Sequence, residues 1–518
     1  MSHLIISPVV LPAILAPFII MVIRHHLDLQ RIFSVAGTVA LVILTVMMAG
    51  QVANGSVQVY DLGNWPAPFG IVLVLDQLSA LMAVLTTVLA LGVVLYAIGS
   101  GWDARGRNFH ALFHFQLMGI LGAFLTGDAF NLFVFFEVLL IASYGLMIHG
   151  GGAKRLQAGV QYVVYNLLGS TLFLFALGAI YSLTGTLNMA DLALRVAELP
   201  PEDTALLRVA AVLLLLVFAI KAAVLPLHFW LPASYANAPL PVAALFAIMT
   251  KVGAYSILRF YTLVFGPDQA ATAGLVGDWL LPAAMITLAV GAIGVLGARE
   301  IGRLIAFGSI ASVGTLLVAI SIFTPEATAA ALYYTIHSTL ASAMLFLVAD
   351  MVMERRGGAI TAQRPMAQTG LIASLFFVGA IALAGMPPLS GFVGKLLVMD
   401  AARGSDQVWT IWAVILISSL LTIVGLARAG VILFWESHDA AHIREPEPEL
   451  QHDEGEATPE VAPTPAAKLP FVATFGLLGG LVLLTIFSGQ VMDYAEATAA
   501  YLYDPAPYID AVMKRAPQ

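Results

Sequence analysis

The chain has 518 residues, 60% of them apolar and 10% charged, with a formal net charge of −8 and no cysteine. Soluble domains carry about 25% charged residues, so this composition excludes a water-soluble fold. Without cysteine there is no disulfide, thiolate-held iron–sulfur cluster or c-type haem, which argues against electron transfer within the chain, and no basic patch interleaved with aromatics points to nucleic acid.

Uncharged runs such as residues 304–325, 365–394 and 469–492 exceed the roughly 18–20 residues that a helix needs to cross the hydrocarbon core. The sequence lacks the short alternating segments of a transmembrane barrel. Apolar segments centre near residues 13, 42, 85, 118, 139, 172, 215, 252, 286, 314, 338, 383, 421 and 481, which predicts an all-α polytopic membrane protein of about fourteen transmembrane helices. The first, residues 4–23, is followed rather than preceded by basic residues, Arg24 with His25 and His26, so it reads as helix one and not as a signal peptide.

Placing both termini outside puts Arg24, Arg31, Arg105, Arg107, Lys154, Arg155, Arg299, Arg303, Arg355, Arg356, Arg364, Arg444 and Lys468 inside. Only Arg195, Arg208, Arg259, Arg403, Lys514 and Arg515 then fall at or near the outer surface, beside an acidic loop with Asp191, Glu198, Glu202 and Asp203. Residues 436–467, rich in Glu, Pro, Ala and Thr, read as a disordered cytoplasmic loop, and their scattered histidines lack metal-ligand spacing. No metal or cofactor site is expected anywhere in the chain.

Residues 209–235 around Pro226 and 372–399 around Pro387 and Pro388 share one grammar: an apolar run, proline, then more apolar sequence. Each is too long for one simple span. Discontinuous helices at matching places in two halves point to an inverted-repeat transporter with ion sites at the unwound backbone. The expected organisation is helices 1–3 in residues 1–107, a first repeat of helices 4–8 in 108–265, and a second repeat of helices 9–13 in 275–435. The loop 436–467 follows, and 468–518 hold helix 14 and a C-terminal tail.

Once loop charges are set aside, Asp76, Glu137, Lys221, Lys251, His337, Lys395 and Arg428 stand out at membrane depth. A charge at the bilayer centre costs about 2.5–3.5 kcal/mol even on the mild insertion scale, so such residues usually face a polar interior and serve ion pathways. Glu137 falls near mid-membrane on helix five. Lys221 precedes Pro226 by five residues, where freed backbone groups solvate an ammonium or admit water. Lys251 and His337 are equally central, and Lys395 follows the second break. A buried lysine has a switchable charge, restored by a nearby carboxylate, so movement of Glu137 relative to Lys221 would load or expel a proton that passes on to Lys251, His337 and Lys395. The bland alternatives are snorkelling, easiest for Lys395, and interhelical hydrogen bonding for His337. Asp76, Asp128, Asp400 and Arg428 lie near span ends and read as structural, while His228 beside Pro226 reads either way. Gly291-Ala-Ile-Gly-Val-Leu-Gly297 follows no strand and has the wrong spacing for a nucleotide loop, so close helix packing explains it better. No phosphate-binding loop suggests ATP as driver.

Four motifs in one order carry a family resemblance: Phe130-Asn-Leu-Phe-Val-Phe-Phe-Glu137, Lys221-Ala-Ala-Val-Leu-Pro-Leu-His-Phe-Trp-Leu-Pro232, residues 239–259 with Thr-Lys-Val-Gly-Ala-Tyr, and residues 385–395. The chain resembles the large proton-translocating subunits shared by complex I and Mrp-type sodium/proton antiporters. The resemblance implies fourteen helices, two inverted five-helix repeats with broken helices 7 and 12, and proton roles at Glu137, Lys221, Lys251, His337 and Lys395. Trp230-Leu-Pro-Ala-Ser-Tyr235 and the chain length are similar to the D subunit of Mrp antiporters. That subunit works in the bacterial cell membrane with other membrane subunits, moving protons against Na+ that passes through the complex, and it is not an enzyme. Ser309-Ile-Ala-Ser-Val-Gly314 stands where some relatives have a histidine, so no role carries over there. The alternatives are a redox-driven subunit of complex I or of a membrane hydrogenase, and a stand-alone carrier or scaffold.

Overall fold

A computed structural model describes residues 3–199, 204–266, 269, 272–436 and 468–514. The expected cytoplasmic loop lies, apart from Glu436, outside the described residues, as do Glu202, Asp203, Arg444 and Arg515.

The chain opens with α1 (Ser7–Met21) and α2 (Leu27–Val52), followed by a hairpin of β1 (Gln58–Asp61) and β2 (Val72–Leu75), in which Gln58 pairs with Leu75 and Asp61 with Val72. Next come α3 (Gln77–Gly99), α4 (Phe109–Leu125), α5 (Ala129–Met147), α6 (Ala153–Thr184) and a short α7 (Met189–Glu198). The first broken span is α8 (Thr204–Lys221) with α9 (Trp230–Asn237); α10 (Leu240–Phe246) and α11 (Met249–Leu263) follow. Then come α12 (Leu281–Gly297), α13 (Ile301–Ile322) and α14 (Pro325–Arg356), and the second broken span is α15 (Thr369–Ala384) with α16 (Ser390–Ala401). The chain continues through α17 (Val408–Gly430), α18 (Lys468–Ile486), α19 (Ser488–Leu502) and α20 (Ala506–Met513). Where a plain C-terminal tail was expected after helix 14, α19 and α20 fold back over the bundle.

Eleven described segments are long and apolar enough to cross a bilayer, and α1, α4 and α15 are shorter apolar helices. The hairpin is the only sheet among the described residues, so the fold is all-α and polytopic. Capping sets several helix starts. Asp76 Oδ1 accepts Ser79 N–H at 2.8 Å while Ser79 Oγ accepts Asp76 N–H at 2.9 Å, and Asp128 Oδ1 accepts Asn131 N–H at 2.7 Å. Each side chain satisfies a backbone donor that the first helical turn leaves free.

The helices sort by which faces they hide. The spans Leu240–Leu263, Ile301–Ile322 and Pro325–Arg356 are enclosed almost wholly by other helices. By contrast α2, α6 and α17 turn Ile43, Val160, Phe175, Leu416 and Leu420 outward, the inverse of a soluble protein and the arrangement a lipid solvent rewards. Small residues permit close backbone approach between α12 and α13. A β-carbon at Gly291 would lie 2.4 Å from Ala311 N, and one at Gly314 would lie 2.4 Å from Leu288 N. Gly291 and Gly294, which face Ala311 and Phe307, thus serve close packing, while Gly297 has open space around it. On the other flank of α12, a β-carbon at Gly425 of α17 would meet Val295 at 2.9 Å.

Charged residues collect at two ends, which the 23-residue α3 separates by about 35 Å. One end holds Arg31 paired with Asp103 and Arg105 paired with Glu354, together with Arg155, which donates to the carbonyls of His149 and Asn237. The other holds Arg259 paired with Asp76 and Lys514 paired with Asp61.

Candidate functional site

Both proline-containing segments break their helices. The first stops at Lys221 and resumes at Trp230; between them Ala223 adopts φ +57° and Pro226 offers no N–H. Leu225 N donates to Thr287 Oγ1 on α12 at 2.9 Å, which satisfies one backbone group released by the break. The second stops at Ala384, turns at Gly385 with φ +77°, passes Pro387 and Pro388, and resumes at Ser390. A third irregularity was not foreseen. Between α10 and α11, Ile248 N bonds to Leu245 O and Lys251 N to Ile248 O, three residues back instead of four, which tightens the helix locally.

Each expected lysine sits at one of these irregularities. Lys221, buried with 7% exposure, donates from Nζ to Asn166 Oδ1 on α6 at 3.3 Å and lies 5.9 Å from the centre of the Phe136 ring. Glu137, one residue further along α5, is within electrostatic range of Lys221, but no ion pair joins them and Glu137 Oε1 is buried without a hydrogen-bond partner. Lys251 lies in the first turn of α11 at 1% exposure. His337, at 0% exposure in the middle of α14, shares a 2.9 Å hydrogen bond between Nδ1 and Ser390 Oγ, at the start of α16. Its Nε2 makes no well-formed hydrogen bond although the Ala382 backbone is close to the ring, which lies 5.5 Å from that of Tyr334, and both Lys251 and Lys395 are within its electrostatic range. Lys395 turns inward rather than snorkelling: Nζ donates to Ala384 O at 2.8 Å and to Ser419 Oγ at 2.9 Å. Ala384 is the last residue before the second break, so the carbonyl that loses its helical partner solvates the ammonium. Gly385 and Gly391 leave room here, since a β-carbon on the first would meet Lys395 Cδ at 2.7 Å and one on the second would meet Ala382 O at 2.0 Å and His337 at 2.8 Å.

Lys221, Lys251, His337 and Lys395 are buried and Glu137 is half-buried with one carboxylate oxygen enclosed, and none of the five joins an ion pair among the described residues. Such groups exchange protons through water without first breaking a strong ion pair. The remaining charged residues differ. Asp128 caps α5, Arg428 donates to Ala298 O at 2.7 Å, and Asp400 forms an exposed pair with Arg403. His228 lies in the first break against Phe229, with Nδ1 unpartnered.

Three buried groups escaped the sequence reading. Asn166 is the direct partner of Lys221, yet a neutral amide in an apolar helix gives no charge signal. Asp350, one turn before Glu354 and Arg355 at the end of α14, accepts Trp102 Nε1–H at 2.9 Å and Tyr96 O–H at 2.9 Å. His110 and His114, one turn apart on α4, contact Asp103 at 3.2 Å and Ser34 Oγ at 3.1 Å.

Residues 126–422 match the family described as NADH:quinone oxidoreductase/Mrp antiporter, TM. The chain belongs to this family of polytopic membrane proteins. Among curated relatives it is similar to the D subunit of a probable K(+)/H(+) antiporter of Rhizobium meliloti (strain 1021), 38% identical over 552 residues with 99% of this chain and 98% of the relative covered. It is also similar to the D subunit of the Na(+)/H(+) antiporter of Alkalihalophilus pseudofirmus, 37% identical with 99% and 100% covered. Among solved structures it superimposes on a chain of the Mrp complex from Dietzia sp. DQ12-45-1b with a TM-score of 0.87 and 30% identity, covering 99% of this chain and 100% of that one.

Proposed function

We propose that this chain is the D-type, proton-translocating subunit of a multisubunit monovalent cation/proton antiporter, a secondary transporter of the bacterial cell membrane rather than an enzyme. Protons move along Glu137, Lys221, Lys251, His337 and Lys395. The observation that carries the reading is the coincidence of lysines with backbone irregularities, at the first break, the tightened turn and the second break. Full-length similarity to D subunits supports the assembly: the names of those relatives differ between K+ and Na+, and the counter-ion passes through the complex with its other membrane subunits. The eleven long segments and three shorter helices form fourteen spans with both termini outside. Helices 4–8 and 9–13 form the inverted repeats.

The switch is the first pair. Asn166 holds Lys221 as a neutral partner, so the lysine's charge depends on how near Glu137 comes. Approach of the carboxylate stabilises the ammonium, and withdrawal releases its proton toward Lys251. Expressed with the whole operon, Glu137→Ala and Lys251→Ala complexes assemble and lose cation-dependent proton flux in vesicles. Full flux in either variant overturns the proposal.

A further inference from the structure

On α11, Lys251, Tyr255 and Arg259 follow at intervals of four residues, which puts them on one face with steps of about 6 Å along the axis. All three are buried, and the face rises from the enclosed middle of the bundle to the end opposite the Arg31–Asp103 corner. Tyr255 donates its hydroxyl to Phe124 O at 2.7 Å and receives Arg259 Nε at 3.4 Å. Arg259 donates from Nη2 to Asp76 Oδ1 at 2.9 Å, and its Nη1 lies 2.6 Å from Oδ2 as an ion pair, with both residues almost inaccessible. Sequence alone placed Arg259 near the outer surface; the structure buries it beneath α19 and α20.

Those two helices form a roof. Tyr508 of α20 sets its ring 5.2 Å from the Arg259 guanidinium, and Tyr494 of α19 donates to Gln77 O at 2.8 Å. Beneath the roof, Gln77 Oε1 and Tyr501 O–H are buried and unpartnered, and Tyr501 lies within electrostatic range of Asp76 and Arg259. Buried polar atoms without protein partners are usually satisfied by internal water. Gln77 Nε2 donates to Ala53 O at 3.3 Å, which leaves Gln77 Oε1 and Tyr501 O–H, beside a buried ion pair, as the groups that internal water would satisfy.

We infer that Lys251 has its own outlet to the outer surface. A proton leaving its Nζ crosses water to Tyr255, whose hydroxyl accepts it while releasing its own, and reaches the chamber of Asp76, Gln77 and Tyr501. Arg259, fixed across the line by Asp76, is the barrier: a static cation repels protons, as an arginine does in a narrow pore. The pair shifts before a proton passes. The inference rests on Lys251 as a proton carrier and adds a branch that does not run through Lys395.

The parent chain has no cysteine, so single thiols report on the chamber directly. In the assembled complex, Gln77→Cys and Tyr501→Cys react with a small membrane-impermeant thiol reagent added outside and not with reagent added inside, while Leu89→Cys, buried in α3, reacts with neither. Tyr255→Phe, which removes one oxygen, lowers proton flux at least tenfold with assembly retained. No labelling from outside at both chamber positions overturns the outlet, and so does parent flux in Tyr255→Phe. Loss of the underlying reading is separate, because it shows as full flux in Lys251→Ala whatever the labelling.

Discussion

Gly391→Ala is the sharpest probe of the second break. A β-carbon at this position would stand 2.0 Å from Ala382 O and 2.8 Å from His337 Cε1 and Nε2. A carbon and an oxygen normally approach no closer than about 3.3 Å, so the start of α16 retreats by about 1 Å. Ser390 moves with it, and its 2.9 Å hydrogen bond to His337 Nδ1 is stretched beyond use. Overpacking costs about 1–3 kcal/mol, and an orphaned buried hydrogen-bonding group costs about 1–3 kcal/mol more. The fold survives a loss of that size. Transport does not, because a shift of about 1 Å in a reacting group lowers rates by about 100-fold. The assay is cation-dependent proton flux in vesicles carrying the whole complex, with assembly followed on native gels. Gly178→Ala, with open space around its β-carbon, is the control. An assembled Gly391→Ala complex transporting at the parent rate refutes the reasoning.

Other expectations follow from single contacts. Asn166→Leu removes the hydrogen bond from Lys221 Nζ to Asn166 Oδ1; loss of a charged hydrogen bond costs about 1.5–3 kcal/mol, so flux falls about tenfold or more while insertion is unchanged. Asp350→Leu strands Trp102 Nε1–H and is expected to lower the melting temperature of the solubilised complex, a cost of about 1–3 kcal/mol, whereas Glu354→Gln at a partly exposed pair costs under about 1 kcal/mol. At Asp103, burial alone would raise the carboxyl, but hydrogen bonds from His110 and Arg31 outweigh it and hold the group below the usual carboxylate range. Its contribution is therefore present above the unfolded value and is lost as pH falls through the lower folded one. Asp103→Asn is expected to melt earlier at neutral pH, by about 2–3 kcal/mol with Arg31 partly exposed, and to lose part of the acid dependence of melting; an unchanged acid profile counts against that account.

Hydropathy located the spans because the bilayer imposes a length, and proline located both broken helices because it removes a donor that lipid cannot replace. Lys221, Lys251, His337 and Lys395 were visible for the same reason, since a charge in an apolar run has few explanations. The tightened turn before Lys251 was hidden, as Ala247 and Ile248 carry no signal for it. Asn166 and Ser390 were hidden because they are neutral, although they hold Lys221 and His337. The placement of Arg259 toward one end of its span was legible, but its burial was not, since the roof that covers it lies about 240 residues later in the chain. Asp350 did not stand out because Glu354, Arg355 and Arg356 follow it within two turns.

The close packing of α12 with α13 and α17 has a mechanical side. Where β-carbons would sit 2.4–2.9 Å from a neighbouring helix, the helices cannot slide without climbing over backbone, so the three act as a stator. This stator grips both broken spans: Thr287 of α12 holds Leu225 in the first, and Ser419 of α17 holds Lys395 just after the second. A displacement at either break is therefore passed to the same packed unit of α12, α13 and α17.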